Sequence, residues 1–308
     1  MRYKVAVSVI MPCYNAQDYI YEAIDSIVGQ SFEDWELIIV DDASTDRTVE
    51  IVRSFVDRRI QLHCLDKNRG NYGARNYGLN QACGKYIAMF DADDISLPDR
   101  LSIQYSYMEK HKDVGAIGCN YDLIDREGKE RSTMRRACTY RQFKIKLLSD
   151  NYMLQSTIFV RHHYLKKFKI RYDESFKYAS DYHFVFQCSC YFKIFNIAER
   201  LLQYRLNPKS ITKTKFLEQQ MYASKIRLAI FRYYFDKVLS QSDLEIIDKV
   251  FHKHHRQTHI SVDIIQNVFN KLLVYNYEKE NFDKKELYDL FYKTSIEYLI
   301  RGKNEAMP

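Results

Sequence analysis

Tyr86-Ile87-Ala88-Met89-Phe90-Asp91-Ala92-Asp93-Asp94 is an unbroken apolar run that ends in crowded carboxylates. The same pattern stands upstream, where Leu37-Ile38-Ile39-Val40 runs into Asp41-Asp42. Short continuous apolar runs without alternation read as strands buried on both faces. Open α/β sheets bind ligands just outside the carboxyl ends of their strands. Like charges crowded at such an end repel one another unless a cation or hydrogen-bond donors compensate them. The two clusters therefore predict a divalent metal holding a phosphorylated ligand.

Around these two runs, the first 120 residues alternate strand and helix. Val5 to Met11 reads as a buried strand, and Asn15 can cap a helix with Ile20, Ala23, Ile24 and Ile27 on one face. Glu36 to Val40 is the second strand, and Ser44-Thr45-Asp46 supplies cap chemistry for the next helix. Ile60 to Leu65, Tyr86 to Phe90 and Val114 to Cys119 complete five strands. A helix through Ala74, Leu79 and Ala82 stops at Gly84, and another follows Pro98. This βα rhythm predicts a mostly parallel sheet flanked by helices. After residue 120 the rhythm changes. Glu127-Gly128 reads as a turn, Tyr140 to Leu148 as a helix, Ser156 to Val160 as a strand and Asp181 to Tyr191 as a helix. Two short strands are expected near 193–197 and 201–205. From 215 the pattern is helical. The expected organisation is 1–214 as one domain, with halves 1–120 and 121–214, and 215–308 as a helical extension.

The chain has 308 residues, 46% hydrophobic and 28% charged, which is globular composition with material for one large or two modest cores. No apolar run approaches the roughly 20 residues that span a bilayer, and Met1-Arg2-Tyr3-Lys4 leads into a strand rather than a signal peptide. Seven cysteines without zinc spacing read as reduced cytosolic thiols. Residues 1–110 carry 12 Lys and Arg against 17 Asp and Glu, while 111–308 carry 35 against 23, which gives the formal net charge of +7. The acidic first part fits a metal site. The basic remainder fits phosphate, an anionic membrane face, nucleic acid, or simply a solvated surface.

The ordered set of motifs resembles the family 2 glycosyltransferases of bacterial surface-glycan type, which have the GT-A fold. It comprises Val7 to Asn15, Gln30-Ser31-Phe32, Glu36 to Asp46, Gly73-Ala74-Arg75-Asn76, Gly84 to Ile87, Phe90 to Asp94 and Pro98-Asp99-Arg100. The agreement spans about the first 105 residues and is looser over 150–212. The resemblance implies transfer of a sugar from a nucleotide diphosphate, with inversion, to a glycan or lipid-linked hydroxyl. Mn²⁺ or Mg²⁺ would hold the diphosphate through oxygen ligands. It implies Asp93, Asp91 and Asp94 around the metal, with Asp93 in direct contact, Asp91 on the ribose or a metal-bound water, and Asp94 on a neighbouring donor. Asp42 would accept a hydrogen bond from the base, commonly uracil, in a pocket shaped by Pro12 and Tyr14. Arg75 would support the base or the diphosphate.

An inverting transfer needs a base to take the acceptor's proton. The resemblance places Asp181 there, with Ser180 where relatives carry Glu, and Asp173-Glu174 as the alternative. Tyr204 to Ser210 resembles a loop that closes over the diphosphate, with Arg205 and Lys209 supplying charge and Asn207 at the usual His position. The cluster His252, His254, His255 and His259 reads as a solvated or partner-facing helix. No GxGxxG follows the first strand, which argues against a dinucleotide-dependent dehydrogenase. The acidic nucleotide cleft argues against nucleic acid as a partner.

The resulting expectation is a cytoplasmic, metal-assisted transferase with a UDP-sugar donor. Its basic, Tyr- and Phe-rich C-terminal region would dock peripherally on the anionic inner membrane face. The alternative is a nucleotide-sugar-binding or assembly protein of the same fold without catalysis.

Overall fold

The apolar runs become strands because both of their faces are covered. β1 (Val5–Cys13), β2 (Trp35–Asp41), β3 (Ile60–Cys64) and β4 (Gly84–Met89) pair in parallel, in the order β3-β2-β1-β4. The connections between them are α1 (Ile20–Val28), α2 (Thr48–Arg53) and α3 (Gly70–Gln81). Next come β5 (Ile95–Ser96), α4 (Arg100–Lys110), β6 (Val114–Ile124), β7 (Glu130–Met134), α5 (Tyr140–Lys146), β8 (Phe159–Arg161), α6 (His162–Phe168), α7 (Ser180–Tyr191) and β9 (Lys193–Arg205). The sheet order is β3-β2-β1-β4-β8-β6-β9-β5, with β7 beside β6. β8 runs antiparallel to both neighbours, so β6 recovers the direction of β4, and β9 lies parallel to β6. The chain then continues through α8 (Ile211–Thr214), α9 (Phe216–Phe235), α10 (Gln241–Phe251), α11 (Val262–Lys279) and α12 (Lys284–Glu305). This computed structural model describes residues 3–207, 211–252 and 260–305. Lys209 and Ser210 of the expected closing loop, and His254, His255 and His259, lie outside the described residues.

Two local expectations are corrected. The two short strands expected over 193–205 are one strand, β9. Its irregular middle is held to β6 by Asn120, whose Nδ2 donates to the Ala198 carbonyl at 2.7 Å. Asn15 does not cap a helix, for α1 begins at Ile20. It adopts φ 48° and ties two loops together, its Oδ1 accepting from Thr45 N at 2.8 Å and its own N–H donating to Ser44 Oγ at 2.9 Å.

α3 sits close on the sheet because it presents a glycine to it. Gly78 lies against β1 and β2, where a Cβ would come 2.6 Å from Ile10 Cγ2 and 3.4 Å from Val40 Cγ2. Gly78→Val should therefore lower stability by about 1–3 kcal/mol through overpacking, read as an earlier urea midpoint at unchanged m-value.

The chain forms two compact units, one of 1–139 and 153–216, the other of 140–152 and 217–308. The second unit takes in 140–152, a segment far from it in sequence. Lys144 Nζ donates to the Asn281 carbonyl at 2.8 Å, and Arg227 Nε to the Ser149 carbonyl at 2.9 Å. Its core is aromatic, with the Phe269 and Phe291 rings stacked 4.4 Å apart. The expected basic character of the C-terminal region does not hold. Residues 215–308 carry 15 Lys and Arg against 13 Asp and Glu, and the basic excess lies in 111–214, with 20 against 10. Among the described residues no helix is long and apolar enough to cross a membrane.

Candidate active site

Parallel register brings the acidic clusters to one edge. Cys13 of β1 pairs with Asp41 of β2, and the Asp42 N–H donates to the Cys13 carbonyl at 2.9 Å. On the other side of β1, Phe90 N–H donates to the Ile10 carbonyl at 3.0 Å. Asp42 and the turn 91–94 therefore leave the sheet on either side of Pro12 and Tyr14. Pro12 is buried within β1, and Tyr14 is 51% exposed at the rim.

The two acids after β2 act differently. Asp41 closes its own turn, Oδ2 accepting from Ser44 N at 3.0 Å. Asp42 is buried and its Oδ1 accepts from the Arg69 N–H at 2.7 Å, at the head of α3. Six residues along α3, a rise of about 9 Å, Arg75 forms an ion pair with Asp91. Arg75 is fully buried. Burial opposes its charge, but Asp91 and the neighbouring tyrosine oxygens outweigh burial and hold the guanidinium above its ordinary range. Its Nε and Nη1 have no hydrogen-bond partner. Such orphaned donors cost about 1–3 kcal/mol each in a finished interior, so an acceptor belongs there.

Asp93 and Asp94 face different ways. Asp93 Oδ2 accepts from Asn207 Nδ2 at 3.3 Å. Burial, then the Asp91 charge, pushes its carboxyl up to about 6. Asp94 is 1% exposed, and its Oδ1 accepts from the Arg205 N–H at 3.0 Å. Burial and the Asp93 and Asp91 charges raise its carboxyl well above the usual range. Asp94, expected beside the metal, thus clips the turn to the end of β9.

Arg205 requires a plainer correction. The resemblance gave it to the diphosphate, but it is 2% exposed and all three side-chain nitrogens donate into the protein. Nε reaches the Asp93 carbonyl at 2.9 Å, Nη1 the Arg126 carbonyl at 2.8 Å, and Nη2 Glu22 at 2.5 Å. The Tyr19 ring lies 4.9 Å from its guanidinium carbon. Arg205 is a clamp on the 91–94 turn.

Asp181 stands in the first turn of α7, and Tyr72 Oη donates to its Oδ1 at 3.2 Å. Ser180 is fully buried, and its Oγ has no hydrogen-bond partner among the described residues. α3 thus touches every cluster: Arg69 on Asp42, Arg75 on Asp91 and Tyr72 on Asp181. A groove of about 480 Å³ runs along its outer side, lined by Arg69, Asn76, Tyr77, Arg171 and Glu174 among others. Asp42, Asp91, Asp93 and Asp181 do not line that groove. Two contributors were given no role by the sequence. Tyr72 finds its partner 109 residues away, with no local signal. Gln30 stands out only as part of a motif, yet it ties α1 to the segment after the acidic turn. Its Nε2 donates to the Leu97 carbonyl at 2.8 Å, and its Oε1 accepts from Leu101 N at 3.0 Å.

Comparison with known proteins identifies the family. The glycosyl transferase family 2 model matches residues 8–177. An uncharacterized glycosyltransferase of Haemophilus influenzae is 31% identical over 254 residues, 79% of this chain and 78% of that one. The chain belongs to the family 2 glycosyltransferases. A further relative is UDP-Glc:alpha-D-GlcNAc-diphosphoundecaprenol beta-1,3-glucosyltransferase WfgD of Escherichia coli, 40% identical over 119 residues, 39% of this chain and 47% of that one. Among solved structures, S. aureus TarS 1-349 in complex with UDP-GlcNAc superposes with a TM-score of 0.63 at 20% identity, covering 88% of this chain and 80% of that one. The α/β fold with its C-terminal helices is that of GT-A glycosyltransferases, and this member of the family is a glycosyltransferase.

Proposed function

We propose that this glycosyltransferase moves a sugar from a UDP-sugar, with inversion, onto a hydroxyl of a glycan or lipid-linked acceptor. The observation that carries the reading is the pairing at one strand edge of Asp91 and Asp93 with two buried, unpartnered nitrogens of Arg75. Carboxylates alone would repel a diphosphate, and a lone guanidinium would not crowd acids together. WfgD's name, with its UDP-Glc donor and diphosphoundecaprenol acceptor, and the UDP-GlcNAc held by TarS support the donor and acceptor classes.

A divalent cation fits this edge. Among the described residues no group of three or more His, Cys, Asp or Glu forms a cage. Mg²⁺-type sites use one or two carboxylates and complete their shell with substrate phosphates and water. Asp93, whose carboxyl is raised first by burial and then by the Asp91 charge, would hold the ion, with Asp91 beside it. The ion would neutralise charge on the leaving diphosphate. Asp42 and Tyr14 would receive the base, and Arg75 the phosphate oxygens. Asp181 takes the proton from the acceptor hydroxyl as that oxygen bonds to the anomeric carbon. The bond to the diphosphate breaks on the opposite face, and its electron pair leaves with the UDP.

A thermal-shift panel of UDP-, GDP- and dTDP-sugars with and without Mn²⁺ tests the donor. A UDP-sugar with Mn²⁺ at a hundredfold over its Kd should add about 2.7 kcal/mol to stability. A shift with GDP- or dTDP-sugars alone would overturn the choice of UDP, and silence from all three would overturn the site.

A further inference from the structure

We infer that Tyr72 is a positioning residue on the acceptor side, its hydroxyl orienting the Asp181 carboxylate for the attacking hydroxyl. The inference rests on Asp181 being the base. It goes beyond that reading, because Tyr72 lies outside every motif that points to the chemistry.

The geometry is specific. Tyr72 is 8% exposed, and its hydroxyl reaches Asp181 Oδ1 at 3.2 Å. Its ring is fixed by a stack of three. The Tyr172 ring lies 5.5 Å from Tyr72 at 14°, and the Phe184 ring of α7 lies 4.4 Å from Tyr172 at 8°. Gln155 Nε2 donates to the Tyr172 hydroxyl at 2.6 Å and locks the middle of the stack. α3 and α7 are thereby joined through rings, and the hydroxyl at the end of the stack meets the carboxylate. The charged and titratable groups around that hydroxyl are Asp181, Arg75 and Tyr172. Burial first, and the Asp181 charge second, raise the Tyr72 hydroxyl well above its ordinary range, so it keeps its proton and acts as a donor. One turn along α3, Arg75 holds Asp91. Residues three apart share a helix face, so one face of α3 sets the donor-side acid and the acceptor-side acid at a fixed spacing.

Tyr72→Phe keeps the ring stack and deletes the donor. A hydrogen bond donated to a carboxylate favours its charged form, so the loss should move the Asp181 titration to higher pH. The midpoint of its carboxyl-carbon NMR signal, assigned by its disappearance in Asp181→Asn, should rise by roughly 0.5–1 pH unit. The acid limb of the pH–rate profile should follow, with kcat reduced and the donor KM unchanged. Rings packed only for stability would leave both pH readouts in place, and an unmoved midpoint overturns the inference. The two readings fail separately. Undiminished transfer by Asp181→Asn removes the base, whereas an inactive Asp181→Asn with an unmoved Tyr72→Phe midpoint removes only the role of Tyr72.

Discussion

Asp181→Asn should lose sugar transfer by about 10²–10⁴-fold in kcat, the usual worth of a positioned general base, while still binding UDP with Mn²⁺ at an unchanged Kd. Asparagine is the better substitution because its amide oxygen still accepts from the Tyr72 hydroxyl. Alanine would leave that buried hydroxyl without a partner, at about 1–3 kcal/mol, and would mix a stability effect into the kinetics. The measurement is transfer rate against acceptor concentration, paired with calorimetric UDP binding. Transfer within about threefold of the unaltered protein, far below the general-base range, would move the base elsewhere, with Asp173 or Glu174 next in line. Loss of UDP binding would place Asp181 on the donor side. The same experiment separates an enzyme from a binding protein of this fold, since a protein without catalysis has no transfer to lose.

The strands were legible because strands buried on both faces leave a plain trace of unbroken apolar runs. That trace marked both acidic clusters as candidates, 41–42 and 91–94, and the strand order sets them on either side of β1. What the sequence hid were partnerships between distant segments. Asp94 and Arg205 look like ligands because they stand in motifs beside ligands, yet each turns into the protein to hold the 91–94 turn. Nothing near Arg205 in sequence announces Glu22, its carboxylate partner. The grouping of 140–152 with the C-terminal helices was equally invisible, since it depends on Lys144 reaching the carbonyl of Asn281. Asn15 was misread for a related reason. A polar residue ahead of a helix is a cap by default, and only the neighbouring loop after β2 shows that it serves Thr45 instead.

These hidden partnerships are not incidental to the chemistry. Two of the acids proposed to meet the donor, Asp42 and Asp93, are set by residues that need not touch the substrate. Arg69 N–H fixes Asp42, and Asn207 and the Arg205 clamp fix Asp93. Positioning at this level decides whether crowded carboxylates repel a diphosphate or share a cation with it, because a displacement of about 1 Å can cost a hundredfold in rate.

Arg205→Ala should therefore act as a loss of structure before it acts as a loss of charge. Removing it breaks four charge-assisted hydrogen bonds at a side chain that is 2% exposed, and leaves the carbonyls of Asp93, Asp125 and Arg126 without this donor. Breaking a buried charged network by deleting one partner costs about 3–5 kcal/mol. Glu22 is 59% exposed, so its own share is small and water can take over from the guanidinium there. The denaturation midpoint should fall by roughly 10 °C, at about 2–4 °C per kcal/mol for a unit of this size. UDP binding with Mn²⁺ should weaken in step, since the turn that carries Asp93 is no longer held. A residue that contacted the diphosphate directly would give the reverse: weaker UDP binding at an unchanged midpoint. Arg205→Lys sharpens the distinction. A lysine keeps the charge but cannot reach Asp93, Arg126 and Glu22 together, because its single ammonium lacks the guanidinium's planar fork. For a clamp, Lys should destabilise nearly as much as Ala. For a phosphate ligand, Lys should restore most of the binding.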